Sequence, residues 1–163
     1  MIRPFEETDY PAVAAIYREG IAGGNATFLA EAPDFPTWDR SKLPFCRLVA
    51  EEKSKVVGWA ALSAFSSSCY YQGVAEVSLY VATSAQGRGI GSALMQALVE
   101  DSESKGIWSL QALIFPENEA SLRLHRRFGF RDLGVMERPA KMPDGRWRDV
   151  LILERRSKRA GTE

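Results

Sequence analysis

The chain has 163 residues, a length that suits one domain with a buried core. Its 21 basic and 21 acidic residues cancel, which argues against a nucleic-acid-binding surface. We expect no signal peptide and no membrane span, because no apolar run is long enough to cross a bilayer. Cys46 and Cys69 lack the spacing of a metal site or a disulfide framework, so we expect a cytoplasmic protein without metal.

Apolar residues repeat at helical spacing early in the chain, at Val13, Ile16 and Tyr17. Proline is tolerated in the first turn of a helix and glycine often follows its last turn, so we expect this helix to run from Pro11 to Gly23. We further expect a strand over residues 1–5, a short helix over 37–42, and strands over 47–52 and 55–64. The proline-containing segment 25–36 shapes a pocket or is a surface crossover, and the sequence leaves both open.

A glycine-rich segment over residues 86–91, called the glycine turn below, organises the second half of the chain. Alternating apolar residues over 75–81 predict a strand before it. Apolar residues at helical spacing from 90 to 99 predict a helix after it. The glycine turn therefore joins a strand to the N-terminus of a helix.

Three glycines in this turn, Gly87, Gly89 and Gly91, allow unusual backbone dihedrals and a close approach to a ligand. The helix N-terminus presents unpaired N–H groups that favour an anion, and Arg88 can add a full positive charge. The pattern is not a P-loop, because no Gly-Lys-Ser/Thr follows, and no acidic residue ends the next strand as a dinucleotide fingerprint requires. The glycine turn therefore predicts a diphosphate site that is neither a P-loop nor a dinucleotide-binding turn.

The remaining predicted elements are a strand over 108–115, a helix over 119–128, and a closing hairpin formed by 134–138 and 147–154. No linker or internal repeat divides the chain. We therefore expect one mixed α/β domain over residues 1–155 and a solvated basic tail over 156–163. The sheet should part beside the glycine turn, where an open sheet offers a ligand crevice.

Two separated motifs match one known family. The glycine turn has the pattern Gln-x-x-Gly-x-Gly, and residues 118–130 have the pattern Asn-x-x-Ser-x-x-Leu-His-x-x-x-Gly-Phe. In this order, they resemble the acetyl-CoA signature of the GNAT superfamily of N-acetyltransferases. The resemblance implies an α/β (α+β) GNAT-like domain whose mixed central sheet is splayed at the acetyl-CoA site, with helices on both faces.

Further segments narrow the resemblance to the phosphinothricin acetyltransferase-like branch: Asn-Ala-Thr-Phe at 25–28, Glu-x-Ser-x-Tyr-Val at 76–81 and Gly-Arg-Trp-x-Asp at 145–149. The resemblance implies acetylation of the α-amino group of small amino-acid analogues such as phosphinothricin, methionine sulfoximine or methionine sulfone, and it implies a homodimer. Two features depart from the branch. Val77 stands where many members have histidine, and residues 65–73 contain none of the arginines expected for phosphinothricin-like substrates.

Individual residues acquire candidate roles from these motifs. Glu76 is the candidate general base for the amine, and His125 is the candidate acid for the leaving thiolate. The candidate acetyl-CoA-binding residues are Leu79, Tyr80, Val81, Gln86, Gly87, Arg88, Gly89, Ile90, Gly91, Ser92, Asn118 and Ser121. The candidate substrate-binding residues are Phe28, Tyr71, Arg146 and Trp147.

Alternatives to acetylation of a small amino-acid-like substrate remain open at this point. The acceptor could be another small amine, or a protein N-terminus or lysine. The chain could also be a weakly catalytic acyl-CoA-binding protein that has lost its substrate site. Glu76 and His125 argue against this loss, whereas Val77 and the missing arginines argue for it.

Overall fold

The computed structural model describes all 163 residues of the chain. The seven strands are β1 (Ile2–Pro4), β2 (Leu48–Glu52), β3 (Lys55–Ala64), β4 (Val74–Val81), β5 (Ser109–Ile114), β6 (Arg131–Lys141) and β7 (Trp147–Arg156). The four α-helices are α1 (Tyr10–Ala22), α2 (Phe35–Ser41), α3 (Ile90–Ser104) and α4 (Glu119–Arg127). No helix is both long and apolar enough to cross a membrane.

The strands form a single mixed sheet in the order β1-β2-β3-β4-β5-β7-β6, in which only β4 and β5 are parallel neighbours. β3 pairs with β4 from Ala75 to Val81. β5 pairs with β4 only from Val74 to Glu76, and the two strands separate beyond Glu76. The sheet therefore parts beside the glycine turn, which confirms the prediction.

Alternation along β3 divides the apolar core between the two faces of the sheet. Trp59 and Ala61 belong to a buried cluster that includes Trp38 of α2 and residues of α1. Ala60 and Leu62 belong to a second cluster, formed with residues of α3 and α4. Helices therefore cover both faces, as expected.

The bounds of α1, α4 and the strands from β1 to β5 agree with the predicted ones to within one residue, and the bounds of α2, β6 and β7 differ more. α2 begins at Phe35, two residues earlier than predicted, because Asp34 caps it: the Asp34 side chain accepts a hydrogen bond from the Thr37 N–H at 2.9 Å. β6 spans Arg131–Lys141 and is longer than the predicted 134–138, because it remains paired with β7 across two register shifts.

The start of the C-terminal segment is packed against the end of α3, whereas most of residues 156–163, including Lys158 and Arg159, are exposed as expected for a solvated tail. β7 extends to Arg156, and Ser157 is only 5% exposed. The Ser157 hydroxyl donates to the Glu103 carboxylate at 2.8 Å, and Arg155 forms an ion pair with the same carboxylate at 3.0 Å. The acidic Glu103 at the end of α3 thus neutralises part of the basic run. Sequence spacing gives no sign of this long-range contact.

Candidate active site

The separation of β4 and β5 opens a cavity of about 820 Å³ between the strands, called the larger cavity below. Val77, Leu79 and Val81 line it from β4, and Ala112 and Ile114 line it from β5. Both strands stay paired on their outer edges, β4 with β3 and β5 with β7. The inner edge of β4 therefore presents backbone hydrogen-bonding groups without a strand partner, which an extended ligand can use.

The glycine turn forms one end of the larger cavity. Gly87 and Gly89 have φ values of 72° and 82°, a left-handed conformation that favours glycine. A Cβ atom added at either position would meet no protein atom within 4 Å. Gly89 precedes α3 and provides no side-chain cap, so the first N–H groups of α3 are left for a ligand. This arrangement fits a diphosphate.

Most of the predicted acetyl-CoA-binding residues line the larger cavity. Those that do are Leu79, Tyr80, Val81, Gln86, Gly87, Gly89, Ile90, Gly91, Ser92, Asn118 and Ser121. Arg88 is the exception. Its guanidinium pairs with Glu52 at 2.8 Å and does not line the cavity, so its charge is directed to the turn between β2 and β3.

Asn118 connects α4 to the loop that follows α1. Its side-chain oxygen accepts from the Ser121 N–H at 3.2 Å and caps α4, while its amide nitrogen donates to the Asn25 carbonyl at 2.9 Å. These contacts give Asn118 a capping role, and its position in the wall of the larger cavity leaves room for ligand binding as well.

His125 lines the larger cavity but is only 5% exposed. Its Nδ1 lies 2.7 Å from the Ser121 carbonyl oxygen, which can only accept, so Nδ1 carries the proton. The ring also packs edge-on against Phe130. Burial lowers the pKa of His125, partly opposed by the bond to Ser121, so the imidazole is neutral at pH 7 and its Nε2 is an acceptor.

A smaller cavity of about 350 Å³ adjoins the larger one across β4. Val77, Tyr80, Ala26 and Leu113 line both cavities. Glu76 lines the smaller cavity, and burial raises the pKa of its carboxyl, partly opposed by the positive charge of Lys42. A carboxylate with a raised pKa in a cavity wall is a candidate general base.

Three polar residues of the smaller cavity were given no role from the sequence: Lys42, Ser63 and Ser78. Lys42 follows α2, and its ammonium donates to the hydroxyl of Ser63 at 3.2 Å and to the hydroxyl of Ser78 at 2.9 Å. The two serines lie on neighbouring strands, β3 and β4. No motif marks Lys42, because the contacts that bring it to the cavity span 21 and 36 residues of sequence.

Only one of the four predicted substrate-binding residues lines the smaller cavity of this chain: Phe28, which packs edge-on against Phe115. Tyr71 is 48% exposed and packs against Phe65 outside the cavity. Arg146 pairs with Asp144 at 2.9 Å, and Trp147 is 54% exposed beneath the Lys141 ammonium. None of these three side chains lines the smaller cavity, so the single chain does not bring them to Glu76.

Arg148, which follows Trp147 in β7, is held by contacts within the protein. It is 8% exposed and stacks over the Phe115 ring, with the guanidinium carbon 3.9 Å from the ring centroid. It also donates to the side-chain oxygen of Asn25 at 2.8 Å and to the Glu117 carboxylate at 3.0 Å. Arg148 therefore holds the loop after α1 against the loop before α4.

Comparison with known proteins agrees with this geometry. The model described as the acetyltransferase (GNAT) family matches residues 13–130. An L-methionine sulfoximine/L-methionine sulfone acetyltransferase of Pseudomonas aeruginosa is 31% identical over 161 residues, covering 94% of this chain and 92% of its own length.

Solved structures give the same result. A GNAT superfamily phosphinothricin acetyltransferase from Sinorhizobium meliloti, in complex with acetyl-CoA, superposes with a TM-score of 0.89 at 29% identity, over 100% of this chain and 91% of that one. A ribosomal-protein-alanine N-acetyltransferase from Brucella melitensis gives 0.88 at 31% identity, over 96% and 99% of the two chains. This chain belongs to the acetyltransferase (GNAT) family, in the phosphinothricin acetyltransferase-like branch.

Proposed function

We propose that the chain uses acetyl-CoA to acetylate the amino group of a small amino-acid-like acceptor. One observation carries this proposal: the two cavities meet on β4, where Val77 and Tyr80 line both. The larger cavity offers an anion site and an unpaired strand edge for a long donor. The smaller one has the volume of a small-molecule site and contains Glu76. The names of the relatives support an acceptor of the methionine sulfone or phosphinothricin type.

The donor supplies an activated acetyl group as a thioester. The backbone N–H groups of the glycine turn and of the first turn of α3 would hold acetyl-CoA, together with the inner edge of β4 from Val77 to Val81. The strand edge offers the donor main-chain hydrogen bonds, and the helix N-terminus offers its diphosphate a favourable dipole.

Glu76 is positioned to take a proton from the acceptor ammonium. An amine attacks a carbonyl only after it has lost a proton, and the carboxylate of Glu76 faces the smaller cavity where the acceptor would lie. The raised pKa of Glu76 makes its carboxylate a stronger base than that of an exposed glutamate.

His125 has a less direct part in this scheme. The proposed acid role requires a proton on Nε2, whereas the bond from Nδ1 to Ser121 and the lowered pKa favour a neutral ring without one. The ring can protonate the thiolate only after it has itself taken up a proton at Nε2. Its buried position against Phe130 supports a packing role in addition.

A thiol-release assay with a panel of acceptors tests the proposed function. We expect release with methionine sulfone and related α-amino acids to exceed release with N-terminal peptides of ribosomal proteins by at least about tenfold, because the smaller cavity has little room for a peptide. Preference for a peptide would favour a protein acetyltransferase. No acetylation of any acceptor, with retained acetyl-CoA binding, would favour an acyl-CoA-binding protein without activity.

Replacement of Gly89 by valine tests the donor site. The side chain would project into open space in the larger cavity and should raise the acetyl-CoA dissociation constant by about tenfold or more in calorimetry. Gly106→Val is the matched control, because Gly106 also has a positive φ, 80°, and open space around it, but lies after the far end of α3.

Both glycine variants should lose a similar amount of stability, on the order of 1 kcal/mol, from left-handed strain. The loss of acetyl-CoA affinity should be confined to Gly89→Val. Equal affinity in the two folded variants would contradict a diphosphate site at the glycine turn.

Replacement of Glu76 by glutamine tests the base. We expect kcat to fall by about a hundredfold while the acetyl-CoA dissociation constant stays unchanged. Wild-type kcat should decrease as the pH falls through the raised pKa of Glu76, because protonation removes the base, and this acid limb should be absent in the variant. His125→Asn should lower kcat much less. A variant of Glu76 with wild-type kcat and pH profile would show a purely structural role.

We also propose that the chain is a cytoplasmic homodimer. Leu133, Val135 and Trp147 on the β6–β7 hairpin are exposed apolar side chains, which supports a covered surface in the assembly. Cys46 and Cys69 are both unpaired, as is usual in a reducing compartment. Light scattering at assay concentration should give twice the mass of 18.1 kDa, and a monomer would contradict the dimer.

A further inference from the structure

Lys42 places a positive charge in the smaller cavity, opposite in sign to Glu76. An ammonium has three N–H donors, and two of them bond to the hydroxyls of Ser63 and Ser78. No carboxylate oxygen lies within 4.0 Å of the Lys42 nitrogen, so it forms no ion pair with Glu76 or any other residue. One donor and the full charge are therefore left for a ligand in the cavity.

The position of Lys42 is fixed by its backbone. Arg47 donates to the Lys42 carbonyl at 3.0 Å and to the Leu43 carbonyl at 2.6 Å, and it also bonds to Asp39 near the end of α2. The Leu43 N–H donates to the Leu62 carbonyl of β3 at 2.8 Å. These contacts attach the segment after α2 to the sheet, so the ammonium is held at the cavity wall before any ligand arrives.

This ammonium is unfavourable for stability where it stands. Burial lowers the pKa of Lys42, partly opposed by the charge of Glu76, and burial raises the pKa of Glu76. The hydrogen bonds from Lys42 to two hydroxyl groups only partly replace the hydration that a charged ammonium loses on burial. An apolar side chain of the same length would avoid this cost, which suggests that the charge serves a ligand.

No other cation in the chain is available to this cavity. Arg148 is occupied by the loop after α1, and Arg146 pairs with Asp144 outside the cavity. The segment over residues 65–73 contains no arginine. A carboxylate that enters the smaller cavity of this chain can therefore meet only one positively charged side chain.

We propose that Lys42 binds the carboxylate of an α-amino-acid acceptor while Glu76 faces its amino group. The cavity thus presents one negative and one positive group that do not pair with each other, and it complements a zwitterion. This inference rests on the proposed acetylation of an amino-acid-like acceptor. It adds Lys42 as the residue by which the site would distinguish α-amino acids from amines that lack a carboxylate.

The test compares methionine sulfone with 3-(methylsulfonyl)propylamine, the same molecule without the carboxylate, in wild type and in Lys42→Met. Methionine has nearly the length of lysine but no charge. We expect the variant to raise KM for methionine sulfone by about 10- to 100-fold, the usual effect of losing a charge-assisted hydrogen bond, and to change KM for the amine by less than about threefold.

Lys158→Met is the matched control, because Lys158 is exposed in the C-terminal segment and lines neither cavity. It should leave both KM values unchanged. Calorimetry with acetyl-CoA should give the same dissociation constant for Lys42→Met as for wild type. A thermal melt of the variant should lie at or above wild type, since the substitution removes a partly buried charge rather than an apolar contact.

Three outcomes would overturn the inference. An equal rise of KM for both acceptors would mean that Lys42 only supports Ser63 and Ser78, and unchanged KM values would mean that it binds no carboxylate. Wild-type preference for the plain amine would overturn it without any variant. Failure of the proposed function has a different signature, because wild type would then acetylate neither compound.

Discussion

The site depends on a parallel strand pair that stops early. β4 and β5 are hydrogen-bonded over three residue pairs, from Val74↔Ser109 to Glu76↔Gln111, and then diverge. Unpaired backbone groups in a protein interior are unfavourable unless water or a ligand satisfies them. The outer ladders to β3 and β7 continue past this point, so both strands remain hydrogen-bonded on their outer edges. The gap therefore lies between two paired strands, and both cavities border it.

The divergence also places the chemistry. Glu76 is the last residue of β4 that pairs with β5, so its carboxylate lies where the cleft begins, and the glycine turn lies beyond the other end of the same strand. One strand thereby connects the proposed base to the proposed diphosphate site. The loop after α1 borders the cleft at Asn25, which is held by hydrogen bonds from Asn118 and Arg148.

Local patterns were sufficient to predict the elements that form this frame. The glycine turn, the alternation of β4 and the helical spacing of α1 and α3 each depend on neighbouring residues, and the structure has them at the expected places. All but one of the residues predicted to bind acetyl-CoA line the larger cavity. Short segments of sequence determine backbone geometry and helix termini, which explains why the predicted elements agree with the structure.

Long-range side-chain contacts could not be predicted in the same way. Lys42 reaches the smaller cavity only because Arg47 attaches the end of α2 to the sheet, and Arg148 is unavailable only because it holds Asn25. Arg88 carried a motif position, yet its side chain is paired with Glu52. In each case the position in sequence is informative about the backbone, whereas the partner of a long flexible side chain is decided by the tertiary fold.

A crystal structure with a bisubstrate analogue would test the central claim most directly. In this analogue, an acetyl bridge joins the sulfur of coenzyme A to the amino nitrogen of methionine sulfone. The account predicts diphosphate oxygens on the N–H groups of the glycine turn, and the amino-acid part in the smaller cavity with its carboxylate on Lys42 and its nitrogen beside Glu76. An amino-acid part outside the smaller cavity, or a diphosphate away from the glycine turn, would contradict it.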